Sequence, residues 1–189
     1  MVHPYRPRAA SIGDHEHGVG YTGASGRESL PQGGFDAAPA LDARGLRIAV
    51  AVARFNPSVT SRLYDGCYAE LIERGANAED IETVFVPGCF ELPLMAQSLA
   101  TNGRFDAVIC LGAVIRGETP HFEYVSSATA YGLQRAALES GTPVIFGVLT
   151  TNDEQQARDR VGGSAGHKGR EAALTAIDIA RTLAGVRKG

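Results

Sequence analysis

Four short apolar runs, LRIAVAVA (46–53), IETVFV (81–86), FDAVICL (105–111) and PVIFGVL (143–149), alternate with stretches whose apolar residues recur at helical spacing. Val59, Leu63, Cys67 and Leu71 step by four, and Val125, Ala128, Gly132, Ala136 and Ala173, Ile177, Ala180, Ala184 step by three or four. Strand–helix alternation of this kind implies right-handed βαβ crossovers, and these build a parallel sheet with helices on both faces. The expected fold class is α/β, a three-layer sandwich around a four-stranded parallel sheet. In such a sheet the carboxyl ends of the strands share one edge, where ligands bind.

Each of the four runs ends in an unusual polar or glycine-containing segment. The first ends in Arg54, Phe55 and Asn56, the second in Pro87, Gly88, Cys89, Phe90 and Glu91, and the fourth in Thr150, Thr151, Asn152 and Asp153. The third is followed by GAVIRGETPHFEY (112–124), read as a glycine turn, a cation, a Thr, and a His where a helix would begin. Backbone N–H groups and an imidazole presented together suit an anionic substrate and proton transfer. Periodicity thus gathers four segments, distant in sequence, into one cleft.

With 189 residues, 44% of them hydrophobic, the chain suits one compact domain with a substantial core from residue 46 to 189. A formal net charge of −3 argues against a nucleic-acid surface. Cys67, Cys89 and Cys110 are odd in number, far apart and without zinc spacing, which fits reduced thiols in a cytoplasmic protein. No apolar stretch reaches membrane-span length. Residues 1–45 are crowded with Gly, Pro, Ser and charge and show no sustained period, so they are expected to form a flexible N-terminal extension. They lack the apolar stretch of a secretory signal, and acids such as Asp14, Glu16 and Glu28 do not suit a transit peptide. His15 and His17 flank Glu16, but a metal needs more ligands in a fixed shell.

Taken together, RFN (54–56), VPGCFELP (86–93), GAVIRGETPHFEYV (112–125), GVLTTNDEQQARDR (147–160) and GHKG (166–169) resemble the lumazine synthase family in order and spacing. The resemblance covers nearly everything from residue 46 onward. It implies a flavodoxin-like sandwich that condenses 5-amino-6-(D-ribitylamino)uracil with 3,4-dihydroxy-2-butanone 4-phosphate. The product is 6,7-dimethyl-8-ribityllumazine, formed with loss of phosphate and water in the penultimate step of riboflavin biosynthesis. No metal and no organic cofactor is implied. The partners implied are further copies of the chain, as a pentamer or a shell of twelve pentamers with shared active sites, and riboflavin synthase.

Site roles follow from the resemblance, each beside an ordinary alternative. Phe55 would stack on the pyrimidine, although an aromatic at a strand end can equally be core. Cys89, Phe90 and Glu91 would hold the pyrimidine and ribityl groups, Cys89 through its backbone; Glu91 could instead simply face a helix N-terminus. Ala113, Val114 and Ile115 would read the polar edge of the pyrimidine through their backbone. Phe146 would line the ribityl pocket, with core packing as the alternative. Gly117, Glu118 and Thr119 form the phosphate turn, provided that Glu118 points away from the anion. His121, a residue type that ordinarily titrates near neutrality, would transfer protons; a helix cap is the alternative. Arg160 would pair with the phosphate, or else be an exposed charge beside Asp153, Glu154 and Asp159. Lys168 belongs with the substrate-binding residues as a second cation for the same anion, and His167 beside it is read as solvated. A flavodoxin-type binding module would share these layers, but ARFNPSVTSR lacks its glycine-rich phosphate loop and no GxGxxG follows any strand. A carrier that has lost turnover is a further alternative, against which His121 and Arg160 stand.

Overall fold

A computed structural model describes residues 41–188 of the chain. Most of the expected extension (1–40, including His15 and His17) and Gly189 lie outside the described residues. The main sheet has four strands, β1 (Ile48–Ala53), β2 (Ile81–Val86), β3 (Ala107–Ile115) and β4 (Val144–Thr151), all parallel in the order β2-β1-β3-β4. The crossovers are α1 (Pro57–Glu73), α2 (Leu92–Thr101) and α3 (His121–Ser140), and the last helix is α5 (Lys168–Lys188). Between β4 and α5 stand the six-residue helix α4 (Glu154–Asp159) and a small antiparallel hairpin of β5 (Val161–Gly163) and β6 (Gly166–His167).

The central strand β1 shows why the chain forms three layers. Its side chains alternate between two cores: Ile48, Val50 and Val52 face α1 and α5, whereas Ala49, Ala51 and Ala53 face α2 and α3. Branched residues fill one side and alanines let the other helix pair approach closely. The expected line Val59, Leu63, Cys67, Leu71 is fully buried on α1. On α3 the buried line is Thr129, Leu133 and Ala136, with Val125, Ala128 and Gly132 half-buried beside it. A Cβ on Gly132 would stand 2.6 Å from Pro93 Cβ, so this residue is the crossing point of α3 with α2. The apolar line of α5 ends at Ala180, and Ala184 is exposed.

Helices α1 and α5 meet more closely still. A Cβ on Gly169 would stand 2.0 Å from the Leu63 carbonyl oxygen, so only glycine fits without a shift of backbone. Beside this contact the buried Glu70 accepts from Arg74 Nε (2.8 Å) and Arg170 Nε (2.6 Å), and Arg170 also reaches Glu73. Burial by itself would raise the Glu70 carboxyl, but the two guanidinium groups outweigh it and hold it below the ordinary value. Residues 41–45, the end of the expected extension, also pack here. Ala43 is fully buried and its N–H donates to the Arg74 carbonyl (2.9 Å).

Two strands run past their expected ends. The third is expected to stop at Leu111 before a glycine turn, yet β3 continues through Gly112 to Ile115 and pairs with β4 along its whole extension. Gly112 is there for room rather than for a turn, since a Cβ would stand 2.5 Å from Cys89 Sγ. The fourth continues to Thr151. His167, expected to be solvated, is half-buried, with its ring where a Cβ on Gly66 would stand 2.0 Å away and its Nδ1 without a hydrogen-bond partner among the described residues.

Candidate active site

The carboxyl ends of β1, β2 and β3 enclose a cleft of about 570 Å³. Its shape follows from what each strand does as it ends. After β1 the backbone N–H groups of Arg54 and Phe55 still donate to Val86 and Pro87 carbonyls (2.9 and 3.2 Å), so the sheet edge stays paired for two more residues. Asn56 then turns the chain into α1 with φ 58°, the left-handed region that Asn tolerates better than most residues. Its side-chain amide donates to the Ala113 carbonyl (2.9 Å), tying the mouth of β1 to that of β3. Phe55, just before this turn, is 71% exposed and lines the cleft.

Past β2 the chain makes a 3₁₀ turn over Cys89–Glu91 before α2. The Glu91 carboxylate accepts from Gly88 N–H (2.9 Å) at the N-terminus of α2, so the ordinary structural role is present while the residue also lines the cleft. Phe90 is exposed and Cys89 is buried, its carbonyl accepting from the Thr129 hydroxyl (3.0 Å). Burial pushes the Cys89 thiol up to about 11, against a smaller opposite effect of the Ala113 backbone. At neutral pH it is a thiol and a packing group.

The floor of the cleft is the end of β3, Ala113, Val114 and Ile115, and its far wall is the crossing into α3, where Gly117, Thr119 and His121 line the space. Glu118 lies between them and does not line it. His121 is the first residue of α3 and exposed, with Pro120 at the cap. Thus one cleft collects Phe55, Cys89, Phe90, Glu91, Ala113, Val114, Ile115, Gly117, Thr119 and His121, from separated segments of the chain. Asn56, Gly88, Phe122, Tyr124 and Val125 line it too. Asn56 and Gly88 belong to the strand-end segments, and Phe122, Tyr124 and Val125 to the segment after the third strand, but none of the five is among the expected site residues.

The remaining expected residues stand elsewhere on the chain. Phe146 and Lys168 line a second groove of about 380 Å³, formed by edge strand β4 and α5. There Lys168 Nζ is paired with Glu171 (2.6 Å). Arg160 lines neither space. It caps α4, which ends at Asp159, and its guanidinium donates to the Gln156 carbonyl (2.9 Å). Among the described residues no group of three or more His, Cys, Asp or Glu could hold a metal, and no helix is long and apolar enough to cross a membrane.

Comparison with known proteins gives a single answer. A family described as 6,7-dimethyl-8-ribityllumazine synthase matches residues 45–184. A protein of Syntrophus aciditrophicus bearing that name is 52% identical over 143 residues, 76% of this chain and 93% of its own length. One from Thermus thermophilus, with the same name, is 49% identical over 150 residues, covering 79% and 96%.

Proposed function

We infer that this chain, which belongs to the 6,7-dimethyl-8-ribityllumazine synthase family, condenses 5-amino-6-(D-ribitylamino)uracil with 3,4-dihydroxy-2-butanone 4-phosphate to 6,7-dimethyl-8-ribityllumazine. The observation that carries this reading is the gathering of the exposed Phe55, the strand-end residues 113–115, Gly117 and Thr119 of the crossing, and the His121 imidazole at one strand-end cleft. Phe55 covers a face of the pyrimidine, and the backbone of residues 89–91 and 113–115 satisfies its polar edge and the ribityl hydroxyls. Gly117 and Thr119 receive the phosphate at the entrance of α3. The amine of the uracil is itself the nucleophile toward the ketone, so no protein nucleophile is required. Imine formation, phosphate loss and ring closure each move protons, and His121 is the group placed to carry them. Two reactive substrates held side by side supply the rest of the rate.

The working unit is a homo-oligomer in the cytoplasm, a pentamer or a shell of twelve pentamers. What supports a site shared between copies is the separation just described: Phe146, Lys168 and Arg160 do not line the cleft of their own chain. Each site takes Phe55 and His121 from one subunit and Phe146, Lys168 and Arg160 from the next, with Arg160 as the phosphate's bidentate partner. Steady-state turnover with both substrates tests the activity, and its absence refutes it. Inactive His121→Ala and Arg160→Ala chains, unfolded and reassembled together, should regain activity at about a quarter of sites for random mixing in a closed ring. Proven mixed oligomers with no recovery would place both residues in one subunit's site.

A further inference from the structure

The phosphate turn and His121 sit on the least supported stretch of the cleft wall. Residues 117–121 are all exposed, and among the described residues nothing stands within 4 Å of where a Cβ on Gly117 would be. Backbone hydrogen bonds secure this crossing only at its ends among the described residues. Arg116 N–H donates to the Thr151 carbonyl (2.9 Å) and Glu123 N–H to the Pro120 carbonyl (3.1 Å). A turn held in this way would sample many positions, whereas proton transfer and anion binding both need one.

The Arg116 side chain closes the gap between the two ends. Its Nη1 donates to Glu123 in the first turn of α3 (2.6 Å), and its Nε donates to Asn152 Oδ1 after β4 (3.2 Å). Its guanidinium carbon lies 4.3 Å from the centre of the Phe122 ring, and Phe122 lines the cleft beside His121. One planar fork thus joins the end of β3, the loop after β4 and the first turn of α3, with its edge engaged by two acceptors and its face by a ring. Arg116 does not itself line the cleft. The resemblance that assigns the other site residues gives it no part.

We propose that Arg116 is the positioning residue for His121 and for the Gly117–Thr119 phosphate turn, holding both against the rigid end of the sheet. The inference rests on the roles given above to His121 and that turn. It makes a distinction within the cleft: the pyrimidine side, built on strand ends, does not depend on Arg116, and the phosphate side does.

Arg116→Met, Arg116→Lys and Glu123→Gln in the full chain separate the possibilities. Arg116→Met should raise KM for the butanone phosphate and lower kcat, together costing about 10- to 100-fold in kcat/KM, the scale of a misplacement near 1 Å. Binding of the amino-uracil by calorimetry should stay within about twofold, because its contacts lie on strand ends. Arg116→Lys should fail to restore activity, since an ammonium cannot serve both acceptors and the ring together. Glu123→Gln should reproduce part of the loss. Undiminished phosphate-substrate kinetics in Arg116→Met, full rescue by lysine, or an equal fall in amino-uracil affinity would each overturn the proposal. Improved phosphate binding in Glu123→Gln would also overturn it, by showing that Arg116 is a direct phosphate ligand that Glu123 restrains. Hydrogen exchange at the hydrogen-bonded amides that close the crossing, at position 116 and at Glu123, gives a readout without substrate: Arg116→Met should speed it about tenfold, and unchanged exchange refutes the inference. A wild-type chain that turns nothing over while this exchange effect holds would sink the proposed function and leave the positioning role standing.

Discussion

Replacing Gly169 by alanine puts one methyl group into the tightest helix contact of the fold. The new Cβ would stand 2.0 Å from the Leu63 carbonyl oxygen, where ordinary contact needs about 3.4 Å. Both sides of the clash are backbone, so no side-chain rotamer relieves it. The helices must part by about an ångström, enough to forfeit roughly a quarter to a half of each dispersion contact there. The packing at stake is that of the α1–α5 seam, where Leu63 and Cys67 share one buried cluster with Ala172, Ala173, Ala176 and Ile177. Overpacking of this severity costs about 3 kcal/mol. Alanine's better helix propensity returns at most about 1 kcal/mol, and less in the first turn of α5. The net loss of about 2 kcal/mol should lower Tm by roughly 4–8 °C for a domain of this size. Circular dichroism with thermal and urea denaturation measures it. Gly185→Ala is the matched control, since it changes the same helix at a position where, among the described residues, nothing lies within 4 Å of the new Cβ. It should raise Tm by a few degrees, about 2–4 °C at most. A Gly169→Ala chain as stable as wild type would refute the close contact between α1 and α5.

Three further outcomes are expected. His121→Ala should slow turnover by about two to four orders of magnitude while amino-uracil binding is nearly unchanged, and equal losses in both would make His121 a binding residue. Glu70 has its folded pKa below the ordinary 4.5, so its ion pairs stabilise the fold fully above that value, and the stability is lost as pH falls through the depressed pKa. Glu70→Gln should cost about 1–3 kcal/mol at neutral pH and flatten this acid limb, as read from urea midpoints at pH 7 and below 4.5; parallel wild-type and mutant profiles would contradict it. Burial raises all three thiols, Cys67 to about 12, Cys89 to about 11 and Cys110 higher still. A disulfide reagent at neutral pH should therefore label the folded chain slowly and all three cysteines rapidly in denaturant, and prompt labelling of the folded chain would refute the burial.

Much of the layered fold could be read from periodicity because β1 and β3 are buried on both faces, which leaves long apolar runs between polar segments. The bounds of β2 match the expected 81–86 because Pro87 and Gly88 stop it. The end of β3 escapes such a reading for a physical reason. Glycine serves both as a turn former and as a space maker, and at Gly112 the demand comes from Cys89, more than twenty residues upstream. The hairpin at 161–167 was illegible because its two short strands carry three glycines and read as loop. Likewise, no spacing rule reports that Asn56 adopts a left-handed conformation or that Arg116 reaches Asn152. These depend on which strand mouths become neighbours, a property of the sheet order β2-β1-β3-β4.

The extension of β3 through Gly112 to Ile115 makes the cleft floor a continuation of the sheet ladder, registered residue by residue on β4. That ladder holds the backbone N–H and C=O groups of residues 113–115 in place whatever side chains the strand carries. The shape of the floor is in this sense written into topology rather than into residue identity. Positions 113–115 can drift among residues of similar bulk without altering the donor and acceptor pattern offered at the strand mouth. The far wall, by contrast, hangs from a short exposed crossing fastened by the Arg116 side chain. Variation among related chains should then be tolerated along the floor and punished at the far wall.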